Sequence, residues 1–159
     1  MNCKRRGAWM FLILSGCLGL VGAGPFESVA VTEAQPAQQD GAITLITPEE
    51  LKAKIARNEP LTIIDVRATS SYVNSDSMIK GAIFVKLRRL KSRLSFPPLK
   101  AVRRDSEVIA YCACPHDESS VHAAQILSAA GFKRVRVLQG GWRMWLKVNG
   151  PVAPKPGRA

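Results

Sequence analysis

Two of the chain's four cysteines, Cys112 and Cys114, stand at the end of an apolar run that begins at Val108. A short polar loop follows, and an amphipathic segment typical of a helix runs from Ser119 to Ala130. Loop N–H groups and a helix N-terminus both favour negative charge on a sulfur atom placed among them. The pattern therefore predicts that Cys112 is a thiolate nucleophile with a lowered pKa. Such a thiolate indicates a sulfur-handling enzyme or carrier.

The residues after the nucleophile are expected to surround its sulfur and bind the substrate. They are Ala113, Cys114, Pro115, His116, Asp117, Glu118, Ser119 and Ser120. His116 can tune the thiolate or donate a proton, or it can be a solvated loop residue. The two acidic residues would raise the pKa of the thiol if they pointed inward, whereas a helix N-terminus would favour them there. Ser119 or Ser120 is the predicted N-cap of the helix.

Cys114 allows three interpretations. It can be a resolving thiol that attacks a persulfide or sulfenate on Cys112, forming a strained and reducible Cys-x-Cys disulfide. It can bind a soft metal such as Cu(I) together with His116. It can also pack against the strand as a small hydrophobic residue. A closed metal site needs more ligands than the loop offers, so neither a metal nor a cofactor is predicted.

Apolar runs and helix signals alternate along the remainder of the chain. Short strands are predicted at residues 43–46, 61–66, 82–85, 108–111 and 135–138. Helices are predicted from Pro48, at 70–74, at 88–94, at 119–130 and after Gly140-Gly141. The alternation predicts an α/β fold with a mostly parallel central sheet and helices on both faces. Asp65 and Arg67 should end the central strand at the same sheet edge as Cys112.

The N-terminus has the layout of a secretory signal, with Lys4-Arg5-Arg6 before an apolar stretch from Ala8 to Val21. Three outcomes stay open. Leu14-Ser15-Gly16-Cys17 resembles a lipobox, which would make Cys17 the lipidation site. Val21-Gly22-Ala23 offers a cleavage site, and the stretch is also long enough to remain as a membrane anchor. All three predict an exported protein in the periplasm or another extracytoplasmic location.

The predicted organisation is a signal or anchor at 1–23, a flexible linker at 24–41, a folded domain at 42–153 and a tail at 154–159. The 23 basic and 12 acidic residues give a formal net charge of +11, but no nucleic-acid motif accompanies it. We interpret the charge as a solvated basic surface; the alternative is a surface that attracts small anions or anionic lipid headgroups. No nucleic-acid partner is expected, and the domain is predicted to be a monomer.

Five motifs occur in an order that resembles one known family. They are Thr47-Pro48-Glu49-Glu50-Leu51, Ile64-Asp65-Val66-Arg67, Ile79-Lys80-Gly81-Ala82, Tyr111-Cys112 and Leu138-Gln139-Gly140-Gly141-Trp142. Together they resemble the rhodanese homology domain, a single-domain sulfurtransferase module, and within it a subgroup with a Tyr-Cys-x-Cys-Pro loop. The resemblance extends from about residue 43 to residue 152.

The resemblance implies that Cys112 takes sulfane sulfur from a small donor, thiosulfate or a persulfide, and passes it from a cysteine persulfide to a thiol acceptor. It also implies that Asp65 and Arg67 form an ion pair that supports the loop. The alternative is a non-catalytic or redox-active module that uses Cys112 and Cys114 as a thiol–disulfide switch or sulfur carrier.

The loop departs from the family pattern because no arginine lies between Cys112 and Ser120. Oxyanion transfer needs a guanidinium to hold the substrate oxygens, so a phosphatase or arsenate reductase is disfavoured. The same departure favours a neutral or protein-bound persulfide donor over anionic thiosulfate.

Overall fold

A computed structural model of the protein describes residues 43–156. The predicted signal or anchor, the linker and the candidate lipidation site Cys17 lie outside the described residues. Within 43–156, no helix is both long enough and apolar enough to cross a membrane.

A five-stranded parallel sheet forms the centre of the domain. The described strands are β1 (Thr44–Ile46), β2 (Leu61–Asp65), β3 (Ser77–Ile79), β4 (Ala82–Phe84), β5 (Glu107–Tyr111), β6 (Arg134–Leu138) and β7 (Val152–Pro154). The central sheet has the order β1-β6-β5-β2-β4, and every neighbouring pair in it is parallel. The inner strand β5 is buried along its whole length, which explains its nearly continuous apolar run.

Helices cover both faces of this sheet. They are α1 (Pro48–Ala56), α2 (Thr69–Val73), α3 (Leu90–Arg93), α4 (Glu118–Ala129) and α5 (Gly141–Lys147), with short 3-10 turns at Leu87–Arg89 and Leu99–Ala101. Leu90 of α3 and Leu127 of α4 pack on one face, whereas Leu51 of α1 and Trp145 of α5 pack on the other. The predicted fold class is therefore confirmed.

Local sequence signals correctly predict the start of α1 and the end of α4. Thr47 caps α1 as expected, because its Oγ1 accepts a hydrogen bond from the Glu50 N–H at 3.1 Å and Pro48 occupies the first turn. Gly131 has a φ of +89°, which suits the residue that follows a helix C-terminus.

The predicted N-cap of α4 is wrong. The helix begins at Glu118, and its N-cap is Asp117, a left-handed residue with a φ of +59° whose side chain does not cap the helix. Ser120 lies in the first turn, where its Oγ donates to the Asp117 carbonyl oxygen at 2.8 Å. Serine is a common N-cap residue, but here the helix begins before either serine, with Asp117 as its N-cap and Glu118 as its first residue.

The sequence patterns do not predict two short strands, β3 and β7. Strands β3 and β7 pair antiparallel and connect the segment after α2 with the end of the described chain. Each has only three residues, too few to show a period. Beyond β7, Lys155 is buried and its Nζ donates to the Val73 carbonyl oxygen at 3.1 Å. Packing thus continues past residue 153, where the predicted domain ends.

Strands β2 and β5 bring the predicted site residues to one edge. They pair in parallel with Asp65 opposite Tyr111, and the Val66 N–H donates to the Tyr111 carbonyl oxygen at 2.9 Å. The residues that follow both strands, Arg67 and Cys112, therefore emerge at the same carboxyl edge of the sheet, as expected from their positions.

Candidate active site

Cys112 is the first residue after β5 and has no exposed surface. Its thiol lies on the face of the sheet that α4 covers, within the apolar cluster that contains Val66 and Ala123. The Cys114 N–H donates to Cys112 Sγ at 3.3 Å. A second N–H, from the backbone of Ser120, also interacts with this sulfur. Ser120 Oγ lies 3.5 Å from the sulfur, although its one hydrogen has the closer acceptor in the Asp117 carbonyl oxygen at 2.8 Å. Two N–H donors and a neighbouring hydroxyl group therefore face the candidate nucleophile.

Burial raises the pKa of the Cys112 thiol above its ordinary value. The donors from Ser120 and from the Cys114 backbone act in the opposite direction, and the Cys114 side chain adds to the increase. The lowered pKa expected from the sequence is therefore wrong. The loop and helix do supply donors, but loss of water around the sulfur outweighs them, and its extent cannot be read from residue types.

Cys114 is half-buried and has its own serine partner. Its Sγ lies 3.1 Å from Ser119 Oγ, so two consecutive serines in the first turn of α4 contact the two thiols. Both cysteines are free thiols. No cluster of three or more His, Cys, Asp or Glu side chains suited to a metal ion occurs within residues 43–156.

The turn at the start of α5, from its N-cap Gly140 to Trp142, holds the cysteine loop at both ends. The Trp142 N–H donates to the Cys112 carbonyl oxygen at 2.8 Å, and the Gly140 N–H donates to Asp117 Oδ2 at 2.7 Å. Gly141 has a φ of +48°, and a Cβ there would collide with the Cys112 carbonyl oxygen. Asp117, predicted as a substrate-binding residue, thus directs one carboxylate oxygen at this turn.

The ion pair implied by the resemblance is present. Arg67 Nη2 lies 2.8 Å from Asp65 Oδ2, and both side chains are fully buried. The Tyr111 hydroxyl donates to Asp65 Oδ2 at 2.8 Å and accepts from the Ile79 N–H at 3.3 Å. The Arg67 guanidinium also lies 4.4 Å from the centre of the Trp142 ring. The pair therefore fixes Tyr111, which precedes the nucleophile, and contacts Trp142, which holds the nucleophile's carbonyl group.

A cavity of about 480 Å³ opens beside the cysteine loop. Ser119, His122 and Thr69 contribute polar groups to its wall, and Lys86 and Arg88 contribute cations. No acidic side chain of the described residues lines it. Arg67 also belongs to the wall, but its side chain has no exposed surface. The accessible positive charge is therefore that of Lys86 and Arg88, and Ser119 connects the cavity to Cys114.

Sequence reasoning missed Lys86 and Arg88 as site residues. They belong to the basic segment that continues through Arg89, Lys91 and Arg93, for which the sequence favours a solvated surface over one that attracts small anions or lipid headgroups. The only available signal was their position directly after β4, a strand of the parallel sheet that ends at the same edge as β2. Ligands of open α/β sheets bind outside this carboxyl edge.

The other predicted loop residues differ in exposure. Ser120 is buried, and Asp117 and Ser119 are half-buried. The remaining four are exposed: Ala113, Pro115, His116 and Glu118. The exposed residues can meet a substrate or an acceptor only from the solvent side of the loop.

The fold and the site define an α/β domain that carries a thiol at the carboxyl edge of a parallel sheet. The family model described as Rhodanese-like domain matches residues 47–148. The chain belongs to this family.

Solved structures agree with this membership. A crystal structure of the Alr3790 protein from Anabaena sp. is 30% identical, with a TM-score of 0.59, and the match covers 70% of this chain and 82% of that one.

Two further structures share the fold. The thiosulfate sulfurtransferase from Pseudomonas aeruginosa is 24% identical with a TM-score of 0.58, over 71% of this chain and 20% of that one. The human single-domain sulfurtransferase TSTD1 is 23% identical with a TM-score of 0.55, over 67% and 97%. Curated proteins gave no match to this chain.

Proposed function

We propose that the protein is a sulfurtransferase that moves sulfane sulfur through a persulfide on Cys112. One observation carries the proposal: Cys112 Sγ, at the carboxyl end of β5, faces two N–H groups, with the Ser120 hydroxyl group 3.5 Å away. Neutral donors of this kind stabilise an anionic sulfur without a charged side chain. Membership of the rhodanese-like family supports the same chemistry.

The reaction runs in two displacements. The Cys112 thiolate attacks the sulfane sulfur of the donor, so that sulfite leaves thiosulfate, or a thiolate leaves a persulfide. The product is a Cys112 persulfide, whose outer sulfur extends toward the donors of the loop. An acceptor thiolate then attacks that outer sulfur, and Cys112 leaves as the thiolate. Because burial raises the pKa of the Cys112 thiol, its proton must pass to solvent before the attack, and the departing thiolate or sulfite takes up a proton from solvent afterwards.

The cavity beside the loop favours an anionic donor. Lys86 and Arg88 provide positive charge there, and no carboxylate of the described chain opposes it. These cations replace, from another segment, the arginine that the loop lacks. We therefore include thiosulfate and anionic persulfides among the donors, in contrast to the neutral donor that the loop sequence favours.

The test is direct detection of the persulfide. The reduced protein is incubated with thiosulfate, or separately with glutathione persulfide, and its intact mass is measured before and after cyanide treatment. We expect one added sulfur that cyanide removes in Cys114→Ser, which keeps the nucleophile but cannot form the Cys112–Cys114 disulfide, and none in Cys112→Ser. Failure of both donors to add sulfur to Cys114→Ser would refute sulfur transfer. Loss of two hydrogens from the parent on mild oxidation, with no adduct in Cys114→Ser, would support the thiol–disulfide switch instead.

We also propose that the protein is exported and retained at the cell envelope. The basic residues 4–6 and the apolar stretch 8–21 support this location. Fatty-acid labelling that disappears in Cys17→Ser would establish lipidation. A soluble periplasmic form that begins after residue 23 would establish cleavage, and recovery in the cytoplasmic fraction would contradict export.

A further inference from the structure

The two cysteines of the loop differ in exposure although they are two residues apart. Cys112 is fully buried, whereas Cys114 is half-buried and contacts Ser119, a residue of the cavity wall. The Cys114 N–H donates to Cys112 Sγ at 3.3 Å, which fixes the backbone of one cysteine against the sulfur of the other. The Cys114 side chain also interacts with the Cys112 thiol.

We propose that Cys114 is a second nucleophile, which resolves the Cys112 persulfide and releases sulfide. This inference rests on the proposed persulfide chemistry. The Cys114 thiolate attacks Cys112 Sγ, the sulfur–sulfur bond of the persulfide breaks, and hydrosulfide leaves with that bond's electron pair. The product is a Cys112–Cys114 disulfide. The two cysteine sulfurs are oxidised and the sulfane sulfur is reduced to sulfide, so the step needs no external oxidant.

Attack at the inner sulfur suits this arrangement for two reasons. Hydrosulfide is a weaker base than a cysteine thiolate, and the weaker base is the better leaving group in thiol–disulfide exchange. In addition, an external thiol must enter the loop to reach sulfur on a residue without exposed surface, whereas the Cys114 backbone already contacts that sulfur and its side chain interacts with the Cys112 thiol.

Ser119 and the cavity complete the arrangement. The Ser119 hydroxyl, 3.1 Å from Cys114 Sγ, can donate a hydrogen bond to the attacking thiolate. The cavity that Ser119 lines also carries Lys86 and Arg88, so positive charge lies on the far side of the residue that contacts Cys114. A hydrosulfide anion that leaves past Ser119 would be attracted toward these cations.

The disulfide product must be reduced before another turnover. A Cys-x-Cys disulfide closes a small ring and departs from relaxed geometry, which makes it readily reducible. The reductant of this disulfide is an external dithiol of the chemical type found in thioredoxin. The complete cycle would then convert a sulfane sulfur donor and a dithiol into sulfide, a disulfide and the donor's leaving group, which is sulfite or a thiol.

The test follows a single turnover without external thiol. The full chain and Cys114→Ser are each reduced, loaded with thiosulfate or glutathione persulfide, and rapidly desalted. Released sulfide is trapped with a bimane reagent while the intact mass is followed. In the parent, we expect the added sulfur to disappear with release of one sulfide per loaded chain, leaving a mass two hydrogens below that of the reduced protein. Peptide mapping should locate the disulfide between Cys112 and Cys114.

Cys114→Ser should retain the added sulfur and release no sulfide until an external thiol is supplied. A persulfide that is equally stable in both proteins, or that decays equally fast in both, would overturn the resolving role and leave the sulfurtransferase proposal intact. If neither protein accepts sulfur from either donor, the proposed function fails and this inference fails with it. Cys114→Ser carries the added sulfur directly after loading if the proposed function holds and lacks it if that function fails. Failure of the resolving role alone is therefore distinguishable from failure of the proposed function.

Discussion

Buried polar groups have different kinds of partners at the two ends of the parallel sheet. At the amino end of β5, Glu107 is buried and its carboxylate lies 3.2 Å from Lys54 and 3.4 Å from both Arg134 and Arg136. Arg136 also pairs with Glu50. Each charge at this end has an opposite charge beside it, which suits a region that only stabilises the fold.

At the carboxyl end, the buried thiol of Cys112 faces only neutral donors. One carboxylate oxygen of Asp117 has no hydrogen-bond partner among the described residues, and Lys86 and Arg88 line a cavity without a carboxylate. The cavity cations are accessible to a ligand, whereas the unpaired Asp117 oxygen is buried. The amino end therefore only stabilises the fold, whereas the carboxyl end combines a stabilising ion pair, Asp65–Arg67, with the candidate nucleophile and the cavity.

The largest expected effect concerns the pH dependence of Cys112. Since burial raises the pKa of its thiol, the reactive thiolate should increase by about tenfold per pH unit through the neutral and mildly alkaline range. Alkylation of Cys112 by iodoacetamide, followed by peptide mass spectrometry in Cys114→Ser, should show a midpoint above that of an unstructured cysteine peptide. An alkylation midpoint below neutral pH would contradict the raised pKa and support the activated thiolate that the sequence predicts.

The second expected effect is a difference in stability between a variant of the buried Asp65–Arg67 pair, near the site, and a variant of the Glu107 ion-pair network at the other end of the sheet. Asp65→Asn leaves the fully buried Arg67 without its counter-charge, so we expect the free energy of unfolding to fall by about 3–5 kcal/mol. Glu107→Gln should cost less, about 1–2 kcal/mol, because its cations are partly exposed and Lys54 and Arg136 retain other carboxylates. Urea denaturation measures both.

The same two variants also test the division of roles. Glu107→Gln should retain sulfur transfer at temperatures where it is folded, since its side chain lies at the amino end of β5. Asp65→Asn should lose transfer even when folded, because Tyr111 and Trp142 position the nucleophile. Equal loss in both variants would contradict the comparison.

The third expected effect concerns the turn that holds the cysteine loop. Gly141→Ala places a methyl group against the Cys112 carbonyl oxygen, at a backbone conformation that L-residues rarely adopt. We expect a loss of about 1–3 kcal/mol in unfolding free energy and a lower rate of persulfide formation. Gly131→Ala is the matched control, because it shares the positive φ but its Cβ meets no atom within 4 Å. Similar rates of persulfide formation in the two variants would argue against a role for the turn in the site.

The smallest expected effect lies in the cavity. Lys86→Gln and Arg88→Gln should each raise KM for thiosulfate by about threefold with little change in kcat, as expected for single solvent-accessible charges worth less than about 1 kcal/mol; Lys86 is half-buried and Arg88 exposed. Added salt should reduce the difference between parent and variants. Lys100→Gln, an exposed cation outside the cavity wall, serves as the control. An unchanged KM in both cavity variants would remove the cations from donor binding.

The fold was largely predictable because its signals are local. The apolar runs of β2 and β5 and the cap at Thr47 are visible in a few residues each, and parallel strand ends then place Arg67 beside Cys112. The course of the loop was not predictable, because Asp117 contacts Gly140, a residue 23 positions away. The direction of the Cys112 pKa shift depends on burial and the cavity cations depend on tertiary packing, and neither appears in residue spacing.

The attachment of the cysteine loop at both of its ends limits where the chain can vary. Trp142 holds Cys112, and Gly140 holds Asp117, so neither end can move without breaking a hydrogen bond to the start of α5. Between these anchors, Ala113, Pro115 and His116 are exposed, whereas Cys114 contacts both Cys112 and Ser119. Substitutions at the three exposed positions can therefore change which molecules reach the sulfur while both cysteines stay in place, so they are where a library aimed at new donors or acceptors should be built.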